Sequence, residues 1–127
     1  MPFYENGDVR IHYEEVGSGY PDISWHGTRA WQPDWSPGSR MLAFMLCGKH
    51  AARGGAHDNY VYVALNTYWD ALPIELPGLP DGLAWHVAIN TGAPDGQDSW
   101  ELGAEPRLDD QGSFMMGGRS VVILVGR

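Results

Sequence analysis

Few residues of this chain could carry out catalysis, and those few form no recognised catalytic pattern. The five histidines are spread along the sequence without the short pair spacings of metal sites, and the one cysteine, Cys47, supplies no thiolate cluster. The histidines are His12, His26, His50, His57 and His86. His26 and His86 each follow a tryptophan in a strand-like segment, so a structural role is expected for both. The sequence therefore predicts no metal site and no cofactor.

A serine nucleophile and an acid–base pair are no better supported. Ser120 comes closest to the Gly-x-Ser-x-Gly turn of serine hydrolases, but residues 118–122 end in valine and enter a strand instead of a helix. The neighbouring acids Glu14-Glu15 and Asp109-Asp110 would point to opposite faces of a strand, so we expect them to be solvated surface charges. No catalytic residue is predicted.

The tryptophans offer a binding chemistry instead, because exposed flat rings stack on the apolar faces of sugars. Trp25, Trp31 and Trp35 crowd a loop-rich region, and Trp69 lies in a turn after a strand-like segment. These four residues are the candidate sugar-binding residues. The other interpretation is that the rings cover the ends of a β-sandwich core, and the sequence alone favours that structural role.

Length, charge and composition limit the classes of protein that the chain could form. Its 127 residues suffice for one domain core, whereas a (β/α)₈ barrel needs about 250. The net charge of -8 opposes binding to nucleic acid and to anionic membranes. A single cysteine, the lack of a membrane-length apolar run and a start unlike a signal peptide together predict a cytoplasmic protein.

Short β-prone segments separated by turns predict an all-β fold. The apolar run Met41–Cys47 fits a helix or a buried strand, and its length between two glycines favours a strand. Tyr60–Leu65 is strongly β-prone, and Arg119–Val125 is expected to be a central strand. Leu72–Pro77 is expected at a sheet edge, because proline cannot donate to a ladder. These segments predict an antiparallel β-sandwich of about seven to eight strands.

Two finer predictions concern individual segments. Residues 83–89 alternate, which places Leu83, Trp85, Val87 and Ile89 on one face. Residues 1–21 are expected to form an extra N-terminal β-hairpin with Asn6-Gly7 in its turn, and residues 22–127 the sandwich domain.

A series of motifs, in one order along the chain, resembles the C-terminal β domain of isoamylase-type glycogen-debranching enzymes of the α-amylase superfamily. Those proteins have Trp-His-Gly, Pro-Asp-Trp-Ser and Ser-Arg-x-Leu-Ala-Phe just after their catalytic barrel, and this chain has all three between Trp25 and Phe44. Later motifs of the family are similar to residues 62–67, 72–77, 85–92 and 119–124. The resemblance covers residues 21–127.

This resemblance implies a sandwich that packs against a barrel acting on the α-1,6 branch linkages of glycogen. The family's catalytic carboxylates lie on barrel loops, so none of them corresponds to a residue of this chain. We therefore expect a non-catalytic accessory domain separated from its barrel, with homo-oligomers formed through the surface that the barrel normally covers, and hairpin swapping as one route. A stand-alone α-glucan-binding module that uses Trp25, Trp31, Trp35 and Trp69 is the alternative.

Residues 4–19 resemble a different family, because they are similar to the opening hairpin of an α/β-hydrolase. The buried strand and oxyanion loop that normally follow such a hairpin are replaced here by the debranching-type motifs. The chain therefore looks like a fusion or chimaera, and a small esterase derived from an α/β-hydrolase is the least favoured function.

Overall fold

The computed structural model describes residues 3–6, 9–12, 22–47 and 60–127, and the regular structure within these ranges consists of strands. The strands are β1 (Phe3–Asn6), β2 (Val9–His12), β3 (Asp22–His26), β4 (Met41–Cys47), β5 (Tyr60–Asn66), β6 (Leu72–Glu75), β7 (Trp85–Asn90), β8 (Ser113–Met116) and β9 (Ser120–Gly126). The prediction of an all-β fold is confirmed. Within the described ranges we find no helix with the length and apolarity to cross a membrane.

The strands pair antiparallel in three sheets. The largest has the order β3-β4-β5-β9-β7, and β6 pairs with β8 while β1 pairs with β2. The last strand, β9, lies between β5 and β7, as expected of a central strand. Pro73 in β6 is exposed and lies opposite Met115 at the edge of the small β6–β8 sheet, so the prediction of an edge strand is also confirmed.

The core lies between the five-stranded sheet and the β6–β8 pair. Tyr62, Trp85 and Leu124 of the large sheet belong to the same buried cluster as Ile74 of β6 and Met116 of β8. Successive side chains of a strand point to opposite faces, so every second residue of β4, β5 and β9 enters this cluster. Two packed layers around one core make a β-sandwich, as predicted.

The predicted N-terminal hairpin is present in the described residues as the β1–β2 pair. In the β1–β2 pair, Asn6 lies opposite Val9, so Asn6 belongs to the first strand and the prediction that it lies in the turn is wrong. The predicted domain boundary at residue 21 falls outside the described residues.

Strand β7 contains a β-bulge that changes which of its side chains reach the core. The register shifts between Val87, which lies opposite Leu124, and Ile89, which lies opposite Ile123. Because Leu124 faces the core and Ile123 faces away from it, the shift turns Ile89 outwards. The prediction that Ile89 shares a face with Val87 is therefore wrong.

Tyr62 and Trp85 are the two largest fully buried side chains, and only one of them has a hydrogen-bond partner for its polar atom among the described residues. The Nε1–H of Trp85 donates to the carbonyl oxygen of Pro77 at 2.8 Å. The hydroxyl of Tyr62 has no hydrogen-bond partner among the described residues. Burial raises the pKa of the Tyr62 phenol, so the group stays neutral. An unpaired buried hydroxyl costs about 1–3 kcal/mol of stability.

His26 is also buried, and it joins β3 to the loop that follows. Its Nδ1 accepts the backbone N–H of Trp31 at 2.7 Å, which leaves the ring proton on Nε2 to be donated to the Oγ of Ser24 at 2.8 Å. Burial lowers the pKa of His26, because the charged ring would lose its hydration. A proton on Nδ1 would in addition break the bond from Trp31. The fold therefore stabilises the neutral ring.

The change Tyr62→Phe is expected to raise the free energy of unfolding by about 1 kcal/mol, because it removes an unpaired polar atom and keeps the ring. Urea unfolding measures the difference. Tyr68→Phe, at a half-buried ring, serves as the control and should change stability by less than about 0.5 kcal/mol. Destabilisation by Tyr62→Phe would contradict the prediction.

The free energy of unfolding should fall as the pH drops below 6.5, the ordinary pKa of histidine. Below this pH His26 binds a proton in the unfolded chain but stays neutral in the folded protein, so protonation stabilises the unfolded state. The loss approaches about 1.4 kcal/mol per pH unit until the pH reaches the lowered pKa of the folded state. Urea unfolding at about pH 7 and 5.5 measures it.

Two variants serve as controls for this pH dependence. His26→Asn should be less stable at neutral pH and lose less stability on acidification. Ser24→Ala, which keeps the ionisable ring, should retain the wild-type loss. Equal pH dependence in the wild type and His26→Asn would rule out the assignment to His26.

Candidate functional sites

The face of the five-stranded sheet that points away from the core, here called the outer face, is apolar. Trp25, Phe44, Val63 and Ile123 lie directly opposite one another across four neighbouring strands. A second row beside the first consists of Ile23, Leu46, Val61 and Val125. An antiparallel sheet with one solvated face normally alternates apolar with polar residues. In β4, β5 and β9 the outward set is entirely apolar, and the inward set is apolar apart from Asn66 and Ser120 at strand ends, so the outer face also has the composition of a buried surface.

The outer face is more accessible than the face that forms the core. Ile23, at the β3 end of the face, is 56 % exposed, Phe44 and Val63 are half-buried, and Val125 in β9 is 9 % exposed. By contrast, Ala43 and Tyr62, which point the other way from the same strands, are completely buried. The outer face therefore presents large side chains to contact from outside.

Two of the four candidate tryptophans extend this face. The ring of Trp25 lies 5.8 Å from that of Phe44 and 5.5 Å, edge-on, from that of Trp35. Both indoles are half-buried. Trp35 comes from the loop between β3 and β4, so that loop adds to the apolar surface beyond the edge strand β3.

The other two candidate tryptophans lie in different surroundings. Trp31 is 59 % exposed and its ring lies 4.7 Å from that of His26. Trp69 is 67 % exposed and its ring lies 5.4 Å from that of Tyr68. Among the described residues, no ring contact joins either of them to Trp25 or Trp35. The four indoles thus do not make one continuous platform, and their role in sugar binding stays a prediction.

Asn66 fixes the turn that carries Tyr68 and Trp69. Its side chain is almost fully buried, with an exposed fraction of 2 %. The Nδ2 of Asn66 donates to the carbonyl oxygen of Gly117 at 2.9 Å, and its Oδ1 accepts the N–H of Tyr68 at 2.9 Å. A Cβ at Gly118 would collide with the carbonyl oxygen of Trp69, so glycine permits the close approach of the two loops. The turn is therefore held from several sides.

A cleft of about 290 Å³ lies between this turn and the β3–β4 loop. The charged residues of its lining are Asp34 and Arg40, and Tyr68, Met41 and Leu72 supply its aromatic and aliphatic wall. Residues Thr28, Gly38 and Ser39 complete the lining. Both the N–H and the Oγ1 of Thr67 donate to the carbonyl oxygen of Arg40 at 2.8 Å, which ties the two sides together.

The cleft holds one acid and one base that form no ion pair with each other in the described structure. Asp34 accepts the N–H of Ser36 at 2.9 Å. Hydrogen bonds from the Ser36 side chain and backbone lower the pKa of the Asp34 carboxyl, so it is ionised at neutral pH. Arg40 is exposed, and its guanidinium makes no hydrogen bond to a described residue. Donors and acceptors are thus both available to a ligand.

The Ser24–His26 pair has the wrong proton arrangement for nucleophilic catalysis. His26 already donates its Nε2 proton to Ser24, and its Nδ1 is occupied by the N–H of Trp31, so the ring cannot accept the serine proton. Ser120 is buried and donates to the carbonyl oxygen of Gly117 at 2.6 Å. In the described ranges, no group of three or more histidine, cysteine or acidic side chains is arranged to hold a metal.

Three buried or half-buried polar residues hold loops in place, and the sequence analysis gave none of them a role. Besides Asn66, these are Glu105 and Gln111. Glu105 accepts the N–H of Gly103 at 3.0 Å, which lowers the pKa of its carboxyl, and it lies 3.3 Å from the guanidinium of Arg127. The amide of Gln111 donates to the carbonyl oxygen of Trp85 at 3.0 Å. Lone polar residues in turn-rich segments carry no periodic signal, and only the fold shows what they bind.

Comparison with known proteins places this structure in a family. The family described as Isoamylase 1-3, C-terminal, matches residues 24–113. Isoamylase SU1, chloroplastic, from Zea mays is 38 % identical over 72 residues, which are 55 % of this chain and 8 % of the maize protein. Isoamylase 1, chloroplastic, from Oryza sativa subsp. japonica is 35 % identical over 72 residues, 57 % of this chain and 8 % of the rice protein.

The match with the family confirms the resemblance that the motifs indicate. It begins within β3 and includes the cleft and the strands up to the start of β8, whereas the hairpin β1–β2 lies outside it. The chain corresponds to a small part of each plant relative. Both relatives are named as chloroplastic, and the cytoplasmic location expected for this chain stays a prediction. The chain belongs to the isoamylase 1–3 C-terminal domain family.

Proposed function

We propose that this chain is a non-catalytic accessory β-sandwich of a debranching enzyme that acts on α-1,6 glucosidic linkages, and that it docks onto the catalytic part through the outer face. The observation that carries the proposal is the apolar outer face, found in a member of a family of C-terminal domains. In this proposal the catalytic part of the debranching enzyme cleaves the linkage, and this domain supports that catalytic part.

The composition of the outer face supports docking. Its two rows contain no charged side chain, so covering them buries no unpaired charge. Contiguous exposed apolar patches on soluble proteins usually mark interaction surfaces. The matched segment is 8 % of each relative, and the remainder of such a protein is large enough to provide the opposing surface.

The polar groups of the sandwich support a non-catalytic role. Ser24, His26 and Ser120 use their hydrogen-bonding atoms within the fold. The acids Glu105 and Asp34 bind backbone N–H groups. None of these arrangements supplies a nucleophile next to a base, and an esterase is therefore not proposed.

The expected result of a docking experiment follows from the outer face. Maize isoamylase SU1 that lacks the segment matching this chain should bind the purified chain, as measured by sedimentation velocity. Ile23→Lys places a charge on the outer face and should weaken the complex about tenfold.

The matched control is Met115→Lys, because Met115 is 64 % exposed and Ile23 56 %, but Met115 lies on the β6–β8 sheet. This variant should leave the affinity unchanged within about twofold. Equal loss in both variants, or complexes insensitive to both, would refute docking through the outer face.

Without the enzyme, we expect the chain to self-associate through the same face, since two apolar faces can cover each other. Sedimentation of the purified chain should show concentration-dependent dimers that Ile23→Lys dissociates and Met115→Lys does not. Deletion of residues 1–21 tests hairpin swapping, because swapped dimers would disappear with the hairpin and face-to-face dimers would persist. A compact monomer at every concentration would contradict both forms of self-association.

A further inference from the structure

We infer that the cleft lined by Asp34, Arg40 and Tyr68 is a saccharide-binding site, with Trp69 as its neighbouring aromatic residue. The preference for a neutral sugar follows from the chemistry of the cleft itself. The narrower assignment to α-glucan chains rests on the proposed function. Trp25, Trp31 and Trp35 are not part of the site.

The charged groups of the cleft select a neutral ligand that both donates and accepts hydrogen bonds. Asp34 is an ionised acceptor and Arg40 a donor, and neither is neutralised by the other. An anion would meet the Asp34 carboxylate and the overall charge of -8, and a cation would meet the guanidinium of Arg40. A sugar carries neighbouring hydroxyls that can donate to the carboxylate and accept from the guanidinium at the same time.

The apolar part of the cleft suits the flat face of a sugar ring. Tyr68 lines the cleft, and the ring of Trp69 lies 5.4 Å away at an angle of 51°. Leu72, which is half-buried, adds aliphatic surface. C–H groups on one face of a pyranose pack against such aromatic and aliphatic groups, while the hydroxyls at the ring edge reach the polar ones.

The cleft is also held in shape before any ligand binds. Asn66 fixes the turn that carries Tyr68, Thr67 bonds to the backbone of Arg40, and Ser36 orients the carboxylate of Asp34. A site that is already ordered loses little conformational freedom on binding. Its volume of about 290 Å³ lies near the lower end of small-molecule sites, which suits a short stretch of a glucan chain.

The test is a titration of the full ¹⁵N-labelled chain with maltoheptaose, followed by amide and indole NMR shifts. Shift changes are expected in residues 34–41 and 67–72 and in the indole of Trp69. Arg40→Gln and Tyr68→Ala should each weaken the affinity about tenfold. Arg107→Gln and Trp31→Ala, which change an exposed arginine and an exposed tryptophan outside the cleft, should keep the wild-type affinity.

Several outcomes would overturn the inference. No shift change at millimolar maltoheptaose, or changes centred on Trp25 and Trp35, would exclude the cleft as the site. The same shifts with inorganic phosphate would exclude selection for a neutral ligand. Equal affinity for cellohexaose would overturn the assignment to α-glucans.

The same variants separate this inference from the proposed function. Arg40→Gln is expected to dock onto truncated maize isoamylase like the wild type, and Ile23→Lys is expected to bind maltoheptaose like the wild type. Docking without sugar binding would overturn the saccharide site alone. Sugar binding without docking would support the site and overturn the accessory role.

Discussion

The structure depends on a sheet that is apolar on both faces. In β4, β5 and β9 the side chains of both faces are apolar, apart from Asn66 and Ser120 at strand ends, and only one of these faces is covered by the β6–β8 pair. Each strand therefore stabilises the core through one set of residues, and its other set would gain stability if a second surface covered it. Because adjacent residues point to opposite faces, the outward set could be polar without changing the core, so its apolar composition is a separate property of the outer face.

Polar side chains organise the loops around this sheet, and several belong to the motifs that carry the family resemblance. Asn66 and Thr67 pin the turn after β5, through bonds to Gly117 and Arg40. In the same way, Thr91 accepts the N–H of Val121 at 2.8 Å at the end of β7. The hydrogen bonds of these motif residues hold the fold together, so the motifs indicate the architecture of the domain more directly than a catalytic or binding function.

The sequence was informative where local pattern decides the structure and uninformative where distant contacts do. The strand Met41–Cys47 follows from its apolar run and its flanking glycines, and the edge strand follows from Pro73. The outward turn of Ile89 depends on a bulge, which is set by pairing with β9 and with residues about ten positions further along the chain. No local signal in residues 83–89 contains that information.

For the candidate sites too, the sequence was informative about local features and uninformative about contacts between distant segments. Tryptophan is visible in a sequence, and spacing alone grouped Trp25, Trp31 and Trp35. The structure separates them, because Trp31 turns towards His26 while Trp25 and Trp35 pack on the outer face. The cleft was missed because Asp34, Arg40 and Tyr68 come from two segments that meet only after β4 and β5 have paired.

One loop supplies residues to both surfaces. Asp34 lines the cleft, and the next residue, Trp35, packs against Trp25 on the outer face. Backbone geometry links adjacent residues, so a contact that fixes the indole of Trp35 also restricts where the carboxylate of Asp34 can lie. The N–H of Ser36 already orients the carboxylate of Asp34, so the cleft is ordered whether or not a partner covers the outer face, and a ligand can bind at either surface independently of the other.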